Sequence, residues 1–274
     1  MTPMKRFRRH DKPGRHYPTR HDAHERKTSR TAEVLHVDEH IIIVAKPPRV
    51  SLDIAWDDES TVFDQLVALG HASADDTVLP LYMMDPLLSG IAVLARDESV
   101  FAKLRAQFVS GEASITCEVL VRGRVADREG AIENRIRPKR SGNGVLCVDD
   151  DAGEAAKTLW TLKDSFVGTA YLECRPTPAD PNIARTHLQH AGLPLIVDPA
   201  YGGGSELRLS SFKAGYRPSP RHPERPLLDR VSLHVSGVSL THPVTGESLS
   251  FQSEPPKDFR AALKQLELHG RIPK

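Results

Sequence analysis

Residues 82–95 read YMMDPLLSGIAVLA and place one carboxylate, Asp85, among apolar neighbours just before a small-residue turn. The run from Ile91 to Ala95 that follows has the composition of a buried strand. A carboxylate in such surroundings is costly unless a cation or hydrogen bonds satisfy it. Asp85 is therefore a candidate nucleophile or base. The structural alternative is a simple turn, because Asp before Pro commonly starts one.

The bulk composition is that of a globular protein with a substantial core. The chain has 274 residues, of which 39% are hydrophobic and 27% charged. No apolar run approaches the roughly 18 residues that a membrane helix needs, and the basic N-terminus lacks the apolar segment of a secretory signal. Three widely spaced cysteines argue against a disulfide framework. We therefore expect a cytoplasmic protein that does not enter a membrane.

Basic charge is concentrated in the first 30 residues, which hold ten Lys or Arg and three Asp or Glu. This arm carries a net charge of +7, which leaves −6 for the rest of a chain whose total is +1. Its low apolar content predicts a disordered basic arm over residues 1–31, followed by one domain over residues 32–274. The arm either contacts RNA phosphates or is a solvated tail. Its histidines are irregularly spaced, which argues against a metal site.

The order of predicted elements indicates an α+β fold with a central, mostly antiparallel sheet and flanking helices. Hairpins outnumber helices, and strands and helices do not alternate as regular βαβ units. The predicted strands are 34–37, 41–44, 115–121, a meander over 124–160, and a pair within 231–251. The predicted helices are 61–69, one from Asp97 to Gly111, one from Asp180-Pro181 to Gly192, and 258–268, with a long loop over 202–226.

Five segments resemble the RluA-type RNA pseudouridine synthases, in the family's order, over about residues 32–260. Asp85, Ser89 and Gly90 match three positions of the motif H-R-L-D-x-x-T-S-G. The other matching segments are the strand pair ending in Lys46-Pro47, the strand Ile115–Gly123, Asp198-Pro199-Ala200-Tyr201-Gly202, and Leu233-His234 with His242-Pro243-Val244-Thr245-Gly246.

The resemblance implies the pseudouridine-synthase fold and an isomerase that converts uridine to pseudouridine in ribosomal or transfer RNA. The target base is flipped out of its stack, and neither a metal nor an organic cofactor is implied. The catalytic aspartate of the family corresponds to Asp85. The basic residue that pairs with it corresponds to Arg185. A guanidinium close to a partly buried carboxylate favours its charged form.

Several positions depart from the family pattern. Met83 replaces an Arg, Tyr82 a His, Cys117 the Tyr that stacks on the base, and Arg49 a Gly. The segment Pro178–Ile183 replaces T-G-R-T-H-Q and puts an acid near the expected RNA path. The residues predicted to form the substrate pocket are Tyr82, Met83, Cys117, Ser89, Gly90 and Tyr201.

The departures leave two functional hypotheses. One is a working synthase. The other is a catalytically inactive homologue that binds RNA or assists ribosome assembly. By side-chain chemistry alone, Met83 and Met84 are typical of core packing, and Cys117 of a small buried hydrophobe. The basic cluster around Arg137 is either a solvated face or a phosphate contact. We expect a monomer whose RNA contacts come from Lys5, Arg6, Arg8, Arg9, Lys46, Arg137, Lys139 and Arg140.

Overall fold

A β-hairpin opens the domain, as its two β-branched runs predict: β1 (Glu33–Val37) and β2 (Ile41–Lys46) pair in an antiparallel manner. The structure is a computed structural model, and it describes residues 31–52, 60–140, 144–218 and 223–271. The arm residues Lys5, Arg6, Arg8 and Arg9 lie outside these ranges.

Eleven strands form one sheet in the described part of the chain. Its path runs β1-β2-β4-β10-β5-β9-β8-β6-β7, with β3 paired to β4 and β11 to β10. All pairs are antiparallel except β4 with β10. This confirms the α+β class with a mostly antiparallel sheet. The remaining strands are β3 (Leu79–Pro80), β4 (Ser89–Ala95), β5 (Ser114–Arg122), β6 (Glu129–Pro138), β7 (Leu146–Val148), β8 (Glu154–Phe166), β9 (Thr169–Thr177), β10 (Leu233–Thr241) and β11 (Ser248–Gln252).

Four α-helices flank the sheet in the described ranges: α1 (Val62–Ala68), α2 (Glu98–Ser110), α3 (Pro181–His190) and α4 (Lys257–His269). Thr61, Asp97 and Asp180 accept hydrogen bonds from backbone N–H groups of the first turns of α1, α2 and α3. Gly111 ends α2 in the left-handed conformation. The expected helices are therefore confirmed, and none of them has the length and apolar character needed to cross a membrane.

The core is deepest where β2 and β4 lie side by side. Ile41 to Val44 of β2 are fully buried, as is nearly all of β4. A second cluster forms where α4 packs Phe259, Ala262 and Leu266 against the far side of the fold. The loop that carries Asp85 leads directly into β4 and is therefore anchored at a fully buried strand.

Gly90 sets the position of that loop. A Cβ at this residue would lie 2.2 Å from the carbonyl oxygen of Val235, and its φ of 112° also favours glycine. The absence of a side chain thus lets β4 meet β10 in the one parallel contact of the described sheet, at Ser89–His234 and Gly90–Val235.

Candidate active site

Asp85 lies on a tight turn between β3 and β4 and is partly buried. Its side-chain Oδ1 accepts a hydrogen bond from the Leu87 N–H at 2.9 Å, and its carbonyl accepts one from the Leu88 N–H at 2.9 Å. Asp85 therefore shapes the turn, as the structural alternative expects. The same contacts fix the direction of its carboxylate.

Lys46 stabilises this turn through hydrogen bonds to its backbone. Its ammonium donates to the carbonyls of Pro86 (3.1 Å) and Leu88 (2.6 Å), and to those of Pro47 (3.1 Å) and Val50 (2.8 Å). The side chain is 1% exposed. The prediction that Lys46 contacts RNA is therefore wrong, because its ammonium is enclosed by the carbonyls of two loops.

Burial lowers the pKa of Lys46 to about 7, while the charge of Asp85 acts in the opposite direction and that of Arg230 lowers the pKa further. Lys46 therefore places a buried amine behind the turn, hydrogen-bonded to the residue that follows Asp85 and charged below about pH 7.

Arg185 of α3 supplies a second buried cation. Its Nε and Nη2 donate to the two carboxylate oxygens of Asp198, each at 2.7 Å, and Tyr201 lies under the guanidinium with its ring centroid 4.4 Å away. Burial acts to lower the pKa of Arg185, but the charge and hydrogen bonds of Asp198 raise it, and the charge of Asp85 raises it further. The bidentate partner of Arg185 is thus Asp198, and the expected pairing of Arg185 with Asp85 stays a prediction.

Asn182 connects this cation to the turn. Its Nδ2 donates to the carbonyl of Met83 (2.9 Å) and to Asp180 (3.0 Å), while its Oδ1 accepts from Nη1 of Arg185 (3.0 Å). These partners fix the orientation of the amide, because its oxygen must face the guanidinium. One side chain therefore sets the distance between α3 and the backbone two residues before Asp85.

A second buried network supports the other end of the turn. Ser89 Oγ lies 3.0 Å from His234 Nδ1 and accepts from Arg230 Nη1 at 3.2 Å, and Arg230 pairs with Asp258 of α4 at 2.7 and 2.8 Å. His234 Nε2 lies 3.0 Å from the carbonyl of Ser253 and must donate to it. We assign the proton of the neutral imidazole to Nε2, so Nδ1 accepts from the Ser89 hydroxyl.

Most of the predicted pocket residues lie behind the site instead of lining it. Tyr82, Ser89 and Tyr201 are at most 4% exposed, and Cys117 and Gly90 are also buried. The Tyr82 hydroxyl donates to the Ile91 carbonyl at 2.7 Å, and that of Tyr201 accepts from the Leu146 N–H at 3.0 Å. Their polar atoms are thus used within the protein, and they position the site without facing it.

Met83 differs from its neighbour in the same segment. Met84 is buried at 4% exposure, which confirms its predicted core role, whereas Met83 is 51% exposed. The core prediction for Met83 is wrong because its backbone carbonyl, held by Asn182, faces inward and its side chain reaches solvent. Met83 is the predicted pocket residue that remains accessible.

Cys117 lies opposite Cys174 across β5 and β9, and both thiols are free and buried. Burial raises the pKa of the Cys117 thiol well above its ordinary value, and Cys174 and Asp180 add to the effect. The prediction that Cys117 is a small buried residue is confirmed, and a raised pKa disfavours the reactive thiolate.

Asp180 caps α3 by accepting from the Asn182 N–H at 2.8 Å. Burial raises the pKa of Asp180, although Asn182 and the charges of Arg185 and Arg105 oppose this. An acid at the N-terminus of α3 neutralises the positive end of the helix. This end of α3 is therefore a poor site for a phosphate.

The basic cluster on β6 is partly neutralised. Arg137 pairs with Asp149 at 2.5 Å, on the turn between β7 and β8, whereas Lys139 and Arg140 are exposed. Lys139 and Arg140 remain available for the predicted RNA contact, and Arg137 is committed to a carboxylate.

Sequence reasoning missed Asp198, Asn182, Arg230 and Asp258 as site residues. Asp198 lies in the D-P-x-Y-G match, so a motif drew attention to the segment but not to the pairing. Arg230 and Asp258 are 28 positions apart, and the sequence gives no sign that they pair.

Comparison with known proteins finds relatives that are named as pseudouridine synthases. The chain is 22% identical over 260 residues, 93% of its length and 78% of the relative's, to the ribosomal large subunit pseudouridine synthase D of Zymomonas mobilis. It is 24% identical over 257 residues, 88% of its length and 64% of the relative's, to the tRNA pseudouridine synthase C of Pectobacterium carotovorum. No protein-family model matches the chain.

Among solved structures, the human RNA pseudouridylate synthase domain containing 4 superposes with a TM-score of 0.60 at 17% identity, covering 86% of this chain and 93% of that one. The fold is therefore that of a pseudouridine synthase domain. In sequence the chain is similar to relatives named as ribosomal and tRNA pseudouridine synthases, the class that its RluA-type motifs predict.

Proposed function

We propose that this protein is an RNA pseudouridine synthase that isomerises uridine in ribosomal or transfer RNA, with Asp85 as the catalytic carboxylate. One observation carries the proposal. Asp85 is partly exposed on a turn held by backbone hydrogen bonds, and two buried basic residues hold its neighbours: Lys46 donates to the Pro86 carbonyl, and Arg185 is linked through Asn182 to the Met83 carbonyl. Buried fixed charges around an accessible carboxylate are typical of a reacting group.

In this proposal Asp85 attacks the sugar or removes a proton while the uracil is detached, turned and rejoined through carbon. Lys46 and Asn182 hold the turn, and Arg185, itself fixed by Asp198, stabilises negative charge at Asp85. The charge therefore needs little reorganisation during the reaction. The residues of this site perform the chemistry without a cofactor in this scheme.

Position 117 favours the second candidate, an inactive homologue that binds RNA. Cys117 is fully buried and carries no ring, and the nearby Tyr82 directs its hydroxyl to the Ile91 carbonyl. The described part of β5 thus presents no aromatic face at position 117 on which a base could stack. In this second candidate function, the protein retains its RNA-binding surface but no longer isomerises uridine.

Release of tritium from RNA labelled at carbon 5 of uridine separates the two. The substrate is total ribosomal and transfer RNA from cells that lack this protein, and the variants are wild type and Asp85→Asn. Release by wild type with loss of at least about a hundredfold in Asp85→Asn is the expected result. Equal release by both would refute Asp85 as the catalytic group. No release by a wild-type sample that binds RNA would establish the second candidate.

A further inference from the structure

Arg49 has an unfavourable backbone conformation beside the Asp85 turn. Its φ is 68°, and it is the one non-glycine residue with a positive φ among the described residues. Glycine adopts this conformation freely, whereas a residue with a Cβ does so at a cost. Some property of the arginine side chain must therefore offset the strain at this position.

The backbone contacts of Arg49 do not require an arginine. Its N–H donates to the carbonyl of Pro86 at 2.6 Å, and Lys46 donates to the same oxygen at 3.1 Å. A glycine would make the same contact without strain. The contact nevertheless shows that the backbone of Arg49 is hydrogen-bonded to Pro86, the residue that follows Asp85.

The guanidinium of Arg49 is far more accessible than the basic groups of Lys46, Arg185 and Arg230, which also lie beside the turn. Lys46 is 1% exposed, and the side chains of Arg185 and Arg230 are 3% and 0% exposed, respectively. The side chain of Arg49 is 40% exposed and pairs through Nη2 with Asp229 at 2.6 Å, itself 54% exposed. Such an exposed pair contributes little stability, so it does not by itself explain the strained backbone.

We propose that the guanidinium of Arg49 binds a backbone phosphate of RNA next to the nucleotide whose base enters the Asp85 site. This inference rests on the proposed function and adds the group that positions the RNA. A planar guanidinium matches a phosphate in geometry and charge. Asp229 orients the side chain in the absence of RNA and competes with the phosphate for it.

Arg49→Gly tests the proposal in the full-length protein, because it removes the charge and relieves the strain together. The probe is fluorescein-labelled, fragmented ribosomal RNA, and the readout is the dissociation constant over a series of salt concentrations. We expect binding about fivefold weaker. The slope of log K against log salt should fall by about 0.7 to 0.9, the loss of one phosphate contact. The melting temperature should rise.

Three further variants separate charge from backbone. Arg49→Lys keeps both the charge and the strain, so its salt slope should match wild type. Arg49→Ala keeps the strain and loses the charge, so its slope should match Arg49→Gly. Asp229→Asn removes the competing carboxylate and should bind RNA more tightly than wild type. Arg271→Gln is the matched control, because Arg271 is 66% exposed and pairs with Asp164 on β8.

The possible results of these measurements either support or overturn the role of Arg49 in phosphate binding. A wild-type slope in Arg49→Gly and Arg49→Ala would overturn the inference, and a lower melting temperature alongside it would assign Arg49 a structural role. A slope lowered equally by Arg271→Gln would also overturn it. If wild type binds RNA without releasing tritium, the catalytic proposal fails while the Arg49 test still stands. If wild type binds no RNA, both fail.

Discussion

Asn182 is the residue on which the geometry of the site depends most directly. Its amide contacts Met83, Asp180 and Arg185, so the side chain has no polar atom left for solvent. The amide nitrogen of Asn182 donates to two acceptors, and its oxygen accepts from one donor. A carboxylate of the same shape would replace the donating nitrogen by an oxygen, so both of these hydrogen bonds would become repulsive contacts. Such a change should displace the Asp85 turn from α3.

We expect Asn182→Asp to lower kcat/KM for tritium release by about a hundredfold. The new carboxylate would face the Met83 carbonyl and the Asp180 carboxylate, and the repulsion would displace the turn. Small displacements of a reacting group reduce the rate by about this factor. The methyl resonance of Met83 should shift in spectra of protein labelled with ¹³C at methionine methyls. That of buried Met84 serves as an internal reference. Gln189→Glu is the matched control, since Gln189 is exposed on the same helix. Wild-type turnover and an unmoved Met83 methyl in Asn182→Asp would refute the positioning role.

At single residues, the sequence predicts Asp85 and Arg185 as site residues but not the contacts that hold them. The sequence gives no sign that Asp198 takes two nitrogens of Arg185 in a bidentate pair. Lys46 looked like a surface cation because nothing in a strand-ending Lys-Pro pair reveals the four carbonyls around it. Both sets of contacts are hidden from sequence reasoning for one reason: most of the partners come from segments that are distant in sequence.

Secondary-structure elements were easier to predict because their ends carry local signals. Thr61, Asp97 and Asp180-Pro181 mark helix starts, and Gly111 marks an end. The parallel contact between β4 and β10 has no such signal. It depends on Gly90 meeting Val235, 145 positions away, and only the folded sheet shows it.

The link between β4, β10 and α4 makes stability dependent on pH. Burial lowers the pKa of His234 to about 4, the Ser253 carbonyl opposes this, and the charge of Arg230 adds to it. The folded protein therefore binds fewer protons than the unfolded chain below the ordinary histidine pKa of about 6.5. Acidification from about pH 6.5 to 4 should then favour the unfolded chain, by at most about 3 kcal/mol from this residue.

Urea unfolding at a series of pH values measures this effect. In His234→Gln the loss of unfolding free energy between about pH 6.5 and 4 should be smaller than in wild type by up to about 3 kcal/mol, whatever the stability at neutral pH. His190→Gln removes an exposed histidine at the end of α3 and should leave the wild-type slope unchanged. The same pH slope in His234→Gln as in wild type would show that His234 does not carry the effect.

Across the whole molecule, charge is separated between an arm of net +7 and a remainder of net −6. A polyanion is therefore attracted by the first 30 residues and, on average, repelled by the rest, apart from local cations such as Arg49, Lys139 and Arg140. If the arm holds the RNA, most of the counterion release on binding arises there. The salt dependence of binding then reports on the arm, and turnover reports on Asp85.

Replacing Lys5, Arg6, Arg8 and Arg9 together by Gln in the full-length chain should lower the salt slope of RNA binding by up to about 3.6, because each lost phosphate contact removes about 0.7 to 0.9. The matched control replaces four exposed, ion-paired cations by Gln: Lys157, Lys163, Arg260 and Arg271. Both proteins carry the same net charge, so a general loss of attraction affects them equally. A larger fall in slope for the arm variant locates RNA binding in the arm. Equal slopes would show that the arm is a solvated tail and that the RNA is held by the domain.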